Sequence, residues 1–255
     1  MSDEVLFEVI DGSIALVTIH RPEQRNAINR AVMDGLRDAW QRIERDDALR
    51  VGILTGAGDK AFCAGMDLKE AAAMKLAVPP RDMLPVLGDS VQISKPVIAA
   101  VNGAAYAGGW LFAQMCDLCI AVDHAVFGIT EAKFGRGMPW AAPLVRMLPQ
   151  RVVMELLLTA RPITAQRAHA LGYVNDVVPQ AELRERALDM ARAIAANAPL
   201  TVKAARELVY LSSEMGASAS LRAAQHLFER VYLSEDAQEG PRSFAEKRAP
   251  RWTGR

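Results

Sequence analysis

The chain has no surplus of basic charge. Its 255 residues carry 30 Lys and Arg against 30 Asp and Glu. Binding to nucleic acid or to an anionic membrane needs a basic excess or stripe, so neither partner is expected. Cysteine is also scarce. Cys63, Cys116 and Cys119 are an odd, low count for a chain of this length, which suits a reducing compartment rather than a disulfide framework. Cys116 and Cys119 form a C-x-x-C, but zinc needs two further ligands, and His20, His124, His169 and His226 do not cluster in the sequence. Packed thiols and no metal site are the expectation. A phosphate loop is absent. Gly56-Ala57-Gly58-Asp59-Lys60-Ala61 does match G-x-G-x-x-A, yet Phe62-Cys63-Ala64-Gly65 is a poor start for the helix that a dinucleotide site requires. The longest charge-free run, between Lys95 and Asp117, has about the length of a membrane span. Pro96, Asn102, Gly103, Gly108, Gly109 and Gln114 break it into shorter pieces. The opening MSDEVLFEVIDG is acidic and lacks the plan of a signal peptide. A cytoplasmic chain that neither spans nor binds membranes is expected.

What the chain does have is apolar content, 51% of residues, enough for a substantial core. Val5 to Ile19 alternates around Asp11-Gly12, which reads as a hairpin. Val32, Leu36, Trp40 and Ile43 recur at helical spacing after Asn29, a candidate N-cap, and predict a helix over Ala31 to Arg45. Val51 to Thr55 and Leu118 to Val122 read as short buried strands. Asp67 to Leu76 reads as a helix with Asp67 in its first turn, and a further helix is expected within Arg81 to Ile93. Beyond about Trp140 the chain reads as mostly helical, punctuated by Pro149, Pro162, Pro179 and Pro199, with one strand-like piece at Tyr173 to Val178. Strands and helices alternate as far as about Arg136, so the pattern predicts an α/β core with a helical C-terminal part.

Two segments carry chemistry. Lys95 to Asp117, KPVIAAVNGAAYAGGWLFAQMCD, reads as a buried strand, an Asn102-Gly103 bend, and a Gly108-Gly109 pair that opens an apolar helix. Ala61 to Glu70, AFCAGMDLKE, is a second Gly-containing turn into a helix. Free backbone N–H groups stand at each helix mouth. Two such turns can place two donors around one oxygen atom that gains charge. The Gly pair has a plainer reading as well, because glycine also lets a helix pack closely on a strand. The Met66 side chain reads as core filler, Trp110 and Trp140 as core or pocket walls, and Phe244 on its own as a packing residue.

Together these segments resemble the crotonase, or enoyl-CoA hydratase/isomerase, family, and the resemblance runs over nearly the whole chain. It implies a spiral core of ββα units, here residues 1–195, followed by a helical oligomerisation region, residues 196–255. Arg21-Pro22 through Asn26-Ala27 is similar to the family's R-P…N-A loop, which makes Arg25 and Ala27 candidate contacts to coenzyme A. AFCAGMDLKE is similar to A-G-x-D-[LI]. By that likeness the N–H groups of Met66 and Gly108 form the oxyanion hole, and Ala64, Asp67 and Leu68 line the substrate site. Glu235-Asp236 through Phe244-Ala245-Glu246-Lys247-Arg248 is similar to the family's closing motif, and Phe228, Phe244 and Lys247 become candidate CoA contacts, within the chain or from a neighbouring subunit. Trp140 joins the substrate pocket. No separate cofactor is implied, since CoA is part of the substrate. A homotrimer or a dimer of trimers is the implied assembly.

Glu131 lies in Phe127-Gly128-Ile129-Thr130-Glu131-Ala132-Lys133-Phe134-Gly135, similar to F-G-x-P-E-x-x-x-G, whose Glu is the family's acid/base. Thr130 stands where Pro is usual. Two departures bear on the reaction. Hydratases of the family have a second Glu where this chain has Leu111, and commonly a Gly, whose N–H helps to hold water, where it has Pro139. A single retained Glu resembles the enoyl-CoA isomerases of the family. The expected activity is a double-bond shift in an enoyl-CoA. Hydration of a 2-enoyl-CoA and non-catalytic acyl-CoA binding are the alternatives.

Overall fold

In a computed structural model the chain is described over residues 3–74 and 78–255. It opens with the antiparallel hairpin β1 (Val5–Ile10) and β2 (Ile14–Ile19). Asp11 and Gly12 take left-handed φ of 51° and 67°, the turn chemistry that the pair favours. Helix α1 (Arg30–Arg45) follows, and the Asn29 side chain caps it by accepting the Val32 N–H at 2.9 Å. Its buried stripe includes Val32, Leu36, Trp40 and Ile43, and Arg42 and Arg45 sit in the last turn, where the helix dipole favours them.

Three strand–strand–helix turns come next. The first is β3 (Val51–Gly56), β4 (Ala61–Cys63) and α2 (Leu68–Met74). The second is β5 (Val97–Val101), β6 (Ala104–Tyr106) and α3 (Gly108–Gln114). The third is β7 (Leu118–Val122), β8 (Val126–Gly128) and a short 3-10 helix, Glu131–Phe134. The chain then forms α4 (Leu144–Met147), α5 (Gln150–Thr159), β9 (Ile163–Thr164), α6 (Ala165–Ala170), β10 (Asp176–Val178), α7 (Leu183–Ala195), α8 (Pro199–Glu214), α9 (Ala217–Tyr232) and α10 (Glu235–Ala245).

The first strand of each turn enters a six-stranded sheet, ordered β1-β2-β3-β5-β7-β10, and the second enters a four-stranded sheet, ordered β4-β6-β8-β9. From β2 to β10 the larger sheet is parallel. Its inner strands, such as VIAAV of β5, are buried along their whole length, as parallel strands covered on both faces must be. Helix α7 packs over β2, β3, β5 and β7. This is the α/β fold expected from the resemblance, a spiral core of ββα units with a helical C-terminal region.

The helices α8–α10 are built differently. α8 buries only Ala204 and α9 buries no residue, while Leu221, Leu233 and Phe244 are 67%, 80% and 86% exposed. α9 packs on α8 and on α10, and the tail is tied back through the Trp252 indole, which donates to the Ala196 carbonyl at 2.7 Å.

The expected helix within Arg81 to Ile93 does not form. Pro85 has no N–H to give, Gly88 takes φ 80°, and the Ser90 hydroxyl accepts the Val86 N–H at 2.9 Å, replacing a helical bond with a local turn. The Tyr173 to Val178 strand is confined to Asp176–Val178. Lys75 and Leu76, at the end of the expected Asp67 to Leu76 helix, lie outside the described residues. The three cysteines are free and buried, and burial pushes the Cys63 and Cys119 thiols up to about 12, so the C-x-x-C packs as inert side chains. The G-x-G-x-x-A run leads into β4, not into a helix. Among the described residues no helix is long and apolar enough to cross a membrane.

Candidate active site

The small sheet assembles the site. β4, β6 and β8 are parallel neighbours, with Cys63 opposite Ala105 and Ala105 opposite Phe127. Met66 follows the end of β4, Gly108 follows the end of β6, and Glu131 follows the end of β8. Each turn of the spiral therefore delivers one candidate residue to the carboxyl end of the same sheet. Neighbouring strands lie about 4.8 Å apart, so the three chain exits fall within about 10 Å. Carboxyl ends of parallel strands are where α/β folds open their ligand crevices.

The first two exits bring backbone donors together. A methyl group placed on Gly108 would lie 4.0 Å from the Met66 nitrogen, and one placed on Gly65 would lie 3.4 Å from the Gly108 nitrogen. Neither the Met66 nor the Gly108 N–H has an acceptor among the described residues. The Met66 strand edge faces the other way through its bridge with Ile28, in which Ile28 N–H donates to the Gly65 carbonyl and Asp67 N–H to the Ile28 carbonyl, each at 2.8 Å. The Met66 side chain is partly buried against the core, as expected. Two free, fixed N–H groups side by side can hold one oxygen on which charge develops.

The glycine pair divides its work. A Cβ on Gly109 would sit 2.0 Å from the Cys63 carbonyl oxygen, so Gly109 lets α3 lie against β4. A Cβ on Gly108 would meet the Ile28 Cδ1 at 2.8 Å and come to 4.0 Å from the Met66 nitrogen. Ala107 precedes them with φ 51° and ψ −120°, a strained conformation for a residue with a side chain. Its N–H donates to the Gly128 carbonyl at 2.9 Å, which extends the β6–β8 pairing and aims the next peptide.

The loop of Arg25 and Ala27 is clamped onto the same turn. Ala64 N–H donates to the Arg25 carbonyl at 3.1 Å, and Arg25 itself is exposed with φ 54°. The side chains that hold this loop were not singled out in the sequence. Arg21 donates to the Ala27 carbonyl at 2.7 Å and pairs with Asp67 and Glu4, each at 3.3 Å. Asn26, fully buried, donates to the carbonyls of Ala57 and Ala61. Asp67 also accepts the Lys69 N–H at 3.1 Å, capping α2. Burial pushes its carboxyl up, but bonds from the Glu70 N–H, Arg21 and the Lys69 N–H outweigh this and hold it below the usual carboxylate range. Ala64 is exposed, and Leu68 begins α2.

Glu131 opens its 3-10 turn and is 8% exposed. Oε1 accepts the Trp140 indole N–H at 3.0 Å, whereas Oε2 is buried with no partner. No ion pair reaches it among the described residues, from Lys133 and Arg136 of its own segment or from elsewhere. Burial raises its pKa, and the N–H groups of Glu131 and Thr130 together with the Trp140 indole only partly offset that. A carboxyl group whose charged form is disfavoured by burial is suited to take and return a proton. Leu111 is buried in α3, three residues before Gln114 and so on the same helix face, and Gln114 donates to the Trp140 carbonyl at 2.9 Å. Pro139 starts the short 3-10 helix Pro139–Ala141 that carries Trp140. Trp110 is core, packed edge-on against Phe127 and Tyr173. Phe228 and Phe244 lie on α9 and α10, with Lys247 just beyond, and the exposure of Phe244 rules out a packing role within the chain. The helix that carries Phe228 packs on α8 and α10.

The sequence model of the enoyl-CoA hydratase/isomerase family matches residues 9–255. An enoyl-CoA hydratase, EchA19, of Mycobacterium tuberculosis is 40% identical over 96% of this chain and 94% of its own. The (E)-benzylidenesuccinyl-CoA hydratase of Thauera aromatica is 37% identical over 96% of this chain and 97% of its own. The crystal structure of enoyl-CoA hydratase EchA1 from Mycobacterium marinum superposes with a TM-score of 0.91 at 40% identity, covering 100% of both chains. Sequence and fold agree along the full length, and the chain belongs to the enoyl-CoA hydratase/isomerase family of enzymes acting on acyl-CoA thioesters.

Proposed function

We propose that the protein shifts the double bond of an enoyl-CoA using Glu131 as its one acid/base. The thioester oxygen sits between the N–H groups of Met66 and Gly108, and charge that builds on it is stabilised there, a contribution of about 10²–10³ in rate per donor. Glu131 removes a proton from one carbon, the dienolate spreads onto the thioester oxygen, and the carboxyl returns a proton two carbons away. General acid–base catalysis of this kind contributes about 10²–10⁴. The observation that carries the reading is the company Glu131 keeps. Its buried carboxyl has a neutral indole for a partner and no ion pair among the described residues, and by likeness to the family Leu111 stands where hydratases have a second acid and Pro139 where they have a water-holding N–H.

CoA is bound in this reading by the loop of Arg25 and Ala27, by the backbone of Ala64 and Leu68, and by Phe228, Phe244 and Lys247 of a neighbouring subunit. The exposed apolar residues of α9 and α10, Leu221, Leu233 and Phe244, suit burial in a homotrimer or a dimer of trimers. Three buried free thiols suit the cytoplasm. Hydration of a 2-enoyl-CoA is the second reading, favoured by the hydratase names of the relatives at 37–40% identity. In it Glu131 activates water alone. Product analysis with matched 2-enoyl-CoA and 3-enoyl-CoA of one acyl chain separates the two. Faster isomerisation than hydration is expected, and a predominance of 3-hydroxyacyl-CoA would select the second reading.

A further inference from the structure

We infer that Trp140 is a positioning residue for Glu131, its indole N–H fixing Oε1 as an acceptor and with it the orientation of the carboxyl that carries the travelling proton. The inference rests on Glu131 being the acid/base. The two carboxyl oxygens are not equivalent. Oε1 receives the indole N–H at 3.0 Å, and Oε2 is buried without a donor. Buried polar atoms without partners are rare, and those that persist usually have a task.

The balance of the step is simple. A carboxylate lone pair of Glu131 takes the proton, and the C–H electron pair moves into the dienolate and leaves its charge on the thioester oxygen. The O–H bond then breaks and its electrons return to the carboxylate, while the dienolate supplies the electron pair of a new C–H bond two carbons away.

Trp140 is itself held. Pro139 fixes the start of its 3-10 turn, and Gln114, 6% exposed on α3, donates to its carbonyl at 2.9 Å. Gln114 of α3 and the Pro139 turn therefore hold Trp140, which in turn holds the acid. Two groups that would handle water are gone, and an N–H on a large apolar ring replaces them. No charged group competes for the carboxyl. Lys133 and Arg136 on its own segment do not pair with it, Leu111, Gln114 and Trp140 are neutral, and on α5, which packs against the 131–134 turn, Arg151 is exposed and Glu155 is paired with Arg167 at 2.6 Å.

The test uses two replacements in the full-length protein. One is Trp140→Phe. The other is a benzothienyl analogue of tryptophan at position 140, which keeps the ring and lacks the N–H. Losing a hydrogen bond to a charged group should lower kcat by about ten- to a hundred-fold, with KM within about two-fold, since the oxyanion donors are untouched. The acid limb of kcat/KM should move to higher pH, in step with the Glu131 carboxyl followed by infrared titration of isotope-labelled protein. Wild-type kcat and acid limb in the benzothienyl protein, or a loss of rate with the carboxyl titration unmoved, would overturn the assignment. Normal turnover by Glu131→Gln would remove the acid–base reading and this inference with it. A wild-type enzyme that hydrates instead of isomerising would change only the reaction on which the Trp140 variants are scored.

Discussion

The turns after β4 and β6 are finished by backbone, whereas the turn after β8 is finished by side chains. Around Met66 and Gly108 the fit depends on what is missing. A Cβ on Gly109 would come within 2.0 Å of the Cys63 carbonyl, and a Cβ on Gly65, at φ 91°, would touch Ala107 at 3.0 Å. Little can change there without moving the sheet. Around Glu131 the support is made of replaceable side chains: the Trp140 indole bonds the carboxyl, and the Gln114 amide holds the Trp140 carbonyl. In the proposed reaction the difference separates two tasks: the donors that hold the thioester oxygen need only geometry, while the fate of the dienolate depends on which side chains face it.

Breaking the acid half should have the largest effect. Glu131→Gln should lower kcat by about 10²–10⁴ and leave CoA-ester affinity near wild type, read by steady-state kinetics and by titration with a non-reactive ester. Turnover within a few-fold of wild type would remove the acid from the site. Breaking the donor half comes next. Gly108→Val puts branched carbon beside the Met66 N–H and should cost about 10²–10³ in kcat, to a similar extent for every acyl chain. Normal rates in a folded variant would place the donors elsewhere.

Two further variants sharpen the contrast between a backbone that must be bare and one that is strained. Gly109→Ala should destabilise the fold by about 3 kcal/mol or more, because its Cβ meets a backbone carbonyl that cannot swing away. Chemical denaturation measures this, and an unchanged midpoint would show that α3 can lift off β4. Ala107→Gly should raise stability by about 1 kcal/mol, since glycine accepts φ 51° and the strain relieved exceeds the added entropy of the unfolded chain. A loss of stability would mean that the alanine side chain holds the turn.

The smallest effect is a slope. Burial raises the pKa of Glu131 above its ordinary 4.5, so between 4.5 and the raised value the folded state holds the proton more often than the unfolded state. Wild-type stability must then fall as pH rises through that window. Glu131→Gln has no such term, so wild type should gain on the variant as pH drops toward 4.5. Parallel stability curves for the two proteins would argue against the buried carboxyl.

Sequence carried the backbone half further than the side-chain half. The Asp11-Gly12 turn, the Asn29 cap, the apolar runs of β5 and β7 and the two Gly-containing turns are local signals, and each sits in the fold where its chemistry demands. The strands that align the site were not legible. β4, β6 and β8 have three residues each, too few for any periodicity to show, and they exist because their neighbours complete the ladder. Arg81 to Ile93 misled because its apolar spacing suits a helix, whereas Pro85, Gly88 and Ser90 together favour turns. The Trp140–Glu131 bond spans nine residues across two separate short turns, and no spacing rule foretells it. Arg21 and Asn26 lay inside a recognised segment, but their task of joining that loop to Asp67 and β4 depends on contacts far apart in the chain.

The central claim is that one carboxylate moves a proton along an enoyl-CoA held by two backbone donors. The most direct measurement is to give the wild-type enzyme a 3-enoyl-CoA in deuterium oxide and to follow the products by NMR and mass spectrometry. The account predicts 2-enoyl-CoA as the main product, with part of the substrate's own protium retained at the carbon that receives the proton. A 3-enoyl-CoA left unchanged, by an enzyme that readily hydrates the matching 2-enoyl ester, would contradict it.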